Sequence, residues 1–139
     1  MAFWDTSALV SLICDEADSQ RRELQVTDDS LVIVWYGTSV ELEAAIGRRV
    51  REGTLDVDQA SVARRKISTL TECWMEVEAS PEVRDRAIRL LRVHPLRTGD
   101  AFQLAAALVV YQERPTGNHF FTSDIRLAEA ARLEGFLVE

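Results

Sequence analysis

The sequence predicts an α/β fold: a mostly parallel central β-sheet of four or five strands, flanked by helices on both faces. Three observations lead there. Short apolar runs such as Ala2-Phe3-Trp4 and Leu31-Val32-Ile33-Val34 punctuate longer helical patterns. The second run has no polar position, the composition of a strand buried on both sides in a parallel sheet. The elements then read in the order β-α-α-β-α-α-β-α-α-β-α-β, which alternates strands with crossover helices.

Each element has a local reason. Residues 2–4 form a short buried strand ending in Asp5, and Thr6-Ser7 lead into a helix capped by a hydroxyl. Residues 15–18 supply a break and a cap, residues 19–25 a short polar helix, and residues 27–30 a turn. The strand at 31–34 is followed at its C-terminal end by Trp35-Tyr36-Gly37. Helices are expected over about 38–53, which includes Ala44, Ala45 and the Arg48-Arg49 pair, and over about 57–70. Residues 73–78 alternate weakly and read as a third, less central strand. Ser80-Pro81-Glu82 combines an N-cap, a proline at the first helical position and an acid in the first turn. The helix it opens carries Val83, Ala87, Leu90 and Leu91 on one side. Residues 94–99 read as a loop, and residues 100–110 as a largely apolar helix whose alanines allow close approach to a sheet. Residues 119–122 form a fourth strand, Ser123-Asp124 cap a helix over 125–133, and residues 135–138 form the last strand.

At 139 residues the chain has the length of one domain, residues 1–139, with a single sizeable core. A hydrophobic fraction of 47% and a charged fraction of 28% are ordinary for a globular protein. No apolar stretch approaches the roughly 20 residues of a membrane span, and Asp5 comes too early for a signal peptide. The expectation is a cytoplasmic protein with no membrane partner. Cys14 and Cys73 lack metal-type spacing and read as reduced, buried thiols. His94 and His119 form no metal or triad pattern and read as structural.

The net charge of −7 argues at first against nucleic acid. It is unevenly spread, however. Residues 48–97 hold eleven basic side chains against eight acids, a local excess of +3. Arg48-Arg49 and the series Arg84, Arg86, Arg89, Arg92 and Arg97 offer either a phosphate track or a solvated helix face. The acidic remainder suits a basic protein partner.

Four acids share one placement, just past a strand or in the first turn of a helix: Asp5, Glu41, Asp100 and Asp124. In a parallel sheet all strands end on one rim, so carboxylates distant in sequence converge there. Two carboxylates about 5 Å apart repel by roughly 3 kcal/mol at an effective dielectric of 20. A cluster therefore takes up protons or binds a divalent ion. Oxygen ligands without a thiolate or imidazole cluster point to Mg²⁺ or Mn²⁺, which neutralises charge building on a phosphate. Each acid also has a plain structural reading. Glu41 fits a capping box with Thr38, while Asp100 and Asp124 are ordinary helix-start residues. Glu43 is excluded, because two residues along a helix turn about 200°. Thr6, Ser7, Thr122 and Ser123 flank the acids as supporting groups or as caps. Trp35 and Tyr36 lie at the same edge, for base stacking, core packing or a dimer contact.

Asp5-Thr-Ser-Ala-Leu9, Gly37-Thr-Ser-Val-Glu-Leu42, Arg97-Thr-Gly-Asp-Ala-Phe-Gln-Leu-Ala-Ala106 and Phe121-Thr-Ser-Asp124 resemble the four acidic motifs of PIN-domain nucleases. Their order and the chain length resemble VapC-type toxins of type II toxin–antitoxin systems. The resemblance covers nearly the whole chain. It implies a PIN-like fold and a Mg²⁺- or Mn²⁺-dependent endoribonuclease that cuts single-stranded or loop RNA such as tRNA or rRNA, leaving a 5′-phosphate and a 3′-hydroxyl. Carried over by motif, Asp5 and Asp100 are the principal metal ligands, and Glu41 and Asp124 complete the catalytic cluster directly or through water. A homodimer restrained by a cognate antitoxin is also implied.

Two rivals remain. One is a catalytically weak PIN module acting by binding RNA or a protein partner. The other is another Mg²⁺-binding α/β phosphotransfer or phosphatase domain. A receiver of that type wants a lysine at the end of a later strand, and Lys66, the one lysine of the chain, falls inside a predicted helix.

Overall fold

A computed structural model describes residues 1–14, 19–28 and 31–139. The elements are β1 (Ala2–Trp4), α1 (Thr6–Ile13), α2 (Ser19–Asp28), β2 (Val32–Trp35), α3 (Thr38–Arg51), α4 (Val57–Thr71), β3 (Met75–Val77), α5 (Pro81–Val93), α6 (Thr98–Val110), β4 (His119–Phe121), α7 (Ile125–Glu134) and β5 (Leu137–Val138). Among the described residues the strands form one sheet in the order β3-β2-β1-β4-β5, every adjacent pair parallel. From β1 the chain steps outward to β2 and β3, then crosses to the other side of β1 for β4 and β5. Strand order thus reverses between β1 and β4, the point beyond which open α/β sheets bind ligands.

Side chains alternate across the sheet with the period of two that a strand imposes. Phe3, Ile33 and Phe120 enter a core shared with α5, α6 and α7. Trp4, Val34 and Phe121 enter a second core shared with α1, α3 and α4. Phe3 stacks on Phe120 at 5.3 Å, and Trp4 packs on Phe121 at 4.5 Å, so both faces of β1 and β4 are locked together. Each fully buried Leu, Ile or Phe contributes roughly 1.5–3 kcal/mol of transfer free energy, which makes these central strands a rigid base for whatever follows them. The expected alanine packing is present, with Ala101, Ala105, Ala106 and Ala107 of α6 fully buried.

The element order is the predicted one, with shifts at the boundaries. Strand β2 extends through Trp35, which is in register with Val77 of β3 and stacks on Phe102 at 5.4 Å. Trp35 is therefore a core residue, while Tyr36 stays exposed. Thr27 and Asp28 belong to α2 instead of a turn, since the Thr27 hydroxyl donates to the Glu23 carbonyl one helical turn back. Residues 29–30 of the expected turn, and the expected break at 15–18, lie outside the described residues. Helix α6 begins at Thr98, which shortens the predicted loop. Strand β5 is shorter than expected because Gly135, at φ 108°, forms the left-handed cap of α7.

Cys14 and Cys73 are not joined in a disulfide, but neither is fully buried as expected: Cys14 is half-buried, and Cys73 is exposed because it sits on the turn that ends α4. His94 and His119 pair with Glu134 and Glu139. Lys66 lies within α4. No helix among the described residues is long and apolar enough to cross a membrane.

Candidate functional site

Asp5 leaves β1 at the switch point. Its backbone N–H donates to the Phe121 carbonyl at 2.9 Å, tying the ends of β1 and β4 together. Its side chain caps α1, accepting the Ser7 N–H at 3.1 Å. The Ser7 hydroxyl donates to the same Oδ2 at 2.5 Å, and the Thr122 hydroxyl does so at 2.9 Å. Ser7 Oγ in turn accepts the Ser123 N–H at 2.8 Å, and Thr122 Oγ1 accepts the Asp124 N–H at 3.1 Å. Each hydroxyl spends its one proton on Asp5, so both relay a backbone donor to the carboxylate. All three bonds fall on Oδ2, which leaves Oδ1 for the cleft that Asp5 lines. At 4% exposure, burial outweighs these bonds and pushes the Asp5 carboxyl up to about 6, with a further push from Glu41.

Glu41 stands in the first turn of α3, but the capping box with Thr38 does not form: the N-cap is Gly37, with no side-chain cap bond. Hydrogen bonds from the Thr6 hydroxyl and the Gln103 amide hold the Glu41 carboxylate instead. Burial raises its pKa, and Asp100 adds to the rise. Asp100, in the first turn of α6, accepts the backbone N–H of Arg97. Burial and then Asp124 raise its pKa against the charges of Arg97 and Arg126. Asp124 is the N-cap of α7 and accepts the Leu127 N–H at 2.8 Å. Glu43 faces elsewhere and pairs with Arg64 of α4, as its rotation around the helix predicts.

The four acids line one cleft of about 450 Å³, together with Thr6, Ser7 and Ser123. Their repulsions form a chain: Glu41 acts on Asp5, Asp100 on Glu41, and Asp124 on Asp100. Acids held above their ordinary pKa chiefly by burial, and to a lesser degree by one another, have the electrostatics of a cation site. Its donors are all oxygens, which suits a hard ion such as Mg²⁺ or Mn²⁺. Among the described residues, however, no three His, Cys, Asp or Glu side chains already surround one ion position. The donor chemistry fits a divalent cation, and enclosing it requires side-chain rotation. Arg48, Arg49 and Arg97 line the same cleft. The rest of the arginine series divides away from it: Arg84 pairs with Asp85, and Arg86 with Glu113 and Glu134.

Two residues with no predicted role are built into this site. Gln103 is 1% exposed and bonds Thr6 at 2.8 Å; a lone polar residue one turn after Asp100 on an alanine-rich helix was its signal. Arg22, also 1% exposed, donates to the Thr122 carbonyl at 2.9 Å and to the Ser123 hydroxyl at 3.3 Å, bracing the turn that carries Asp124. Helix α2 is mostly polar, with Leu24 and Val26 its apolar residues, so nothing in its pattern marks Arg22 as the buried position.

No family model matches the sequence, and no curated protein matches it. A search of solved structures finds a chain from a toxin–antitoxin complex of Klebsiella pneumoniae, with a TM-score of 0.61 over 89% of this chain and 87% of that one. At 14% identity this likeness speaks for the fold alone. The five-stranded parallel sheet with flanking helices is the predicted α/β architecture, consistent with a PIN-like fold.

Proposed function

We propose that this chain is a PIN-fold, Mg²⁺- or Mn²⁺-dependent endoribonuclease of the VapC type, the toxin of a type II toxin–antitoxin pair. The observation that carries the reading is the cleft itself. Four carboxylates from four separate elements line it, and three of them are raised in pKa by burial and by one another. Asp5 and Asp100 would be the principal ligands of the cation, with Glu41 and Asp124 completing the set directly or through water. When bound, the cation supplies Lewis acidity and offsets charge building on a phosphodiester. The chain's own part is positional. Ser7 and Thr122 fix Asp5, Thr6 and Gln103 fix Glu41, and Arg48, Arg49 and Arg97 offer forks for phosphate groups.

The fold shared with a chain of a toxin–antitoxin complex supports the biological setting. A cognate antitoxin with a basic segment suits the net charge of −7, and a homodimer is the form the family resemblance implies. The substrate on this reading is single-stranded or loop RNA, as in tRNA or rRNA.

A second reading, a PIN module that acts by binding RNA or a protein, is favoured by the absence of a ready-formed ion cage among the described residues. One experiment separates the two. Purified protein is incubated with labelled structured RNA and Mg²⁺, Mn²⁺ or EDTA, beside Asp5→Asn and Asp100→Asn. Cutting that needs the cation and both carboxylates supports the nuclease. Cutting that survives EDTA and both substitutions overturns it, and retained RNA with no cutting favours the binding module.

A further inference from the structure

We infer that Gln103 is a positioning residue for Glu41: it holds that carboxylate and Thr6 toward the cleft while its own carbonyl oxygen stays buried without a donor. The inference rests on Glu41 belonging to the acidic site. Asp5, Asp100 and Asp124 are each anchored by a backbone N–H at the start of a helix. Glu41 has no such anchor, and its longer side chain has an additional rotor to fix. Gln103 supplies what is missing. Its Nε2 faces Thr6 Oγ1 at 2.8 Å, Thr38 Oγ1 at 3.3 Å and Glu41 Oε2 at 3.3 Å. An NH₂ group has two protons for these three acceptors, so the amide is drawn toward all of them and is committed to that face. Turning it over would set Oε1 against the Glu41 carboxylate, and the two oxygens would repel.

The amide carbonyl records what this arrangement gives up. Gln103 Oε1 is buried with no hydrogen-bond partner, a destabilising state for a polar atom. Its neighbours on the buried face of α6 are Ala101, Leu104, Ala105, Ala106, Ala107 and Leu108. Methionine there would fill a similar volume with no orphaned oxygen. Packing alone therefore favours an apolar residue at position 103, whereas holding Glu41 and Thr6 requires a donor. Such conflicts between local stability and arrangement gather at functional sites.

The side-chain amide is itself the probe. In a ¹⁵N-labelled protein the Gln103 NH₂ pair is assigned by its loss in Gln103→Met, or in Gln103→Asn, a methylene too short, should the first variant not fold. The expected result is a pair protected from solvent exchange that shifts, and loses protection, in Glu41→Gln. A pair that exchanges freely, or that Glu41→Gln leaves unmoved, overturns the inference. Titration with Mn²⁺ gives a second readout. Gln103→Met and Gln103→Asn should weaken Mn²⁺ binding roughly tenfold with the fold intact, and add nothing further in the Glu41→Gln background. Independent, multiplying effects overturn the positioning role. A protein that binds no Mn²⁺ overturns the metal reading of the cleft, and the amide spectrum then decides the role of Gln103.

Discussion

Thr122 donates its hydroxyl to Asp5 at 2.9 Å across 117 residues of sequence, and the same oxygen accepts the backbone N–H of Asp124 at 3.1 Å. One small side chain therefore sets two of the four acids relative to each other. Thr122→Val keeps the shape and deletes the hydroxyl, leaving a buried carboxylate short of one donor. The expected loss is about 1.5–3 kcal/mol of stability above pH 7, the range for a hydrogen bond to a charged group. That bond favours the ionised form, so its removal lifts the Asp5 pKa above about 6. The loss should accordingly shrink as pH falls toward 5 and Asp5 takes up its proton. Urea unfolding at the two pH values checks both the size and the sign.

Asp5 is also a source of instability, and its pH window follows from its own titration. The carboxyl titrates near 6 in the folded chain against 3.8 for the free group. Between those values the native state holds a proton that the unfolded chain has released, so stability falls as pH rises through that window and stays low above it. Asp5→Asn carries no charge to desolvate. It should exceed the parent by on the order of 3 kcal/mol at pH 8 and match it near pH 4, which Tm measurements across that range will show. Mg²⁺ bound by the acids should narrow the gap at pH 8.

What the sequence made legible follows from distance along the chain. Strands β1 and β2 announce themselves as apolar runs, and an acid placed directly after such a run, like Asp5, is marked by its position. Glu43 was separable from Glu41 by helical rotation alone, and it indeed pairs with Arg64. Glu41 itself was ambiguous, because T-x-x-E is also a capping signature; its true partner Thr6 lies on another helix. The partners of Gln103 and Arg22 stayed hidden for the same reason. Gln103 reaches Thr6 across 97 residues, and Arg22 reaches Thr122 across 100. Local patterns carry no information about partners at that separation. Strand β5 was overextended since nothing in Gly135-Phe136 distinguishes a left-handed helix cap from the start of a strand.

Away from the cleft, Glu134 ties the end of α7 to α5. Its carboxylate takes the His94 ring nitrogen at 2.7 Å and Arg86 at 3.1 Å, while Arg86 also reaches Glu113 at 3.1 Å. The Arg86 and Glu134 side chains are only 17% and 20% exposed, so water cannot fully replace the lost partner. Glu134→Ala should cost about 2 kcal/mol, below the 3–5 kcal/mol of a fully buried broken pair because Glu113 still satisfies Arg86. Because the cluster joins the C-terminal ends of α5 and α7, away from the acids at helix starts, Mn²⁺ affinity should not change. Chemical denaturation paired with metal titration distinguishes this structural role from one in the site.

The arginines of the cleft make a different demand, because the chain as a whole repels RNA. With a net charge of −7, any phosphate binding must come from local basic groups, and Arg48, Arg49 and Arg97 line the acidic cleft. Arg97 also lowers the pKa of Asp100 through its charge and its backbone N–H, so Arg97→Ala perturbs the acids as well as the phosphate track. Arg48→Ala is the cleaner variant, since Arg48 is not among the charges that shift Asp5, Glu41 or Asp100. In an Asp5→Asn background, in which the proposed nuclease reading expects no cutting, Arg48→Ala should weaken single-stranded RNA binding and flatten its salt dependence. Each lost phosphate contact reduces the slope of log K against log salt by about 0.7. An unchanged slope would mean that Arg48 is a solvated helix residue and that RNA, if bound, follows another path across the protein.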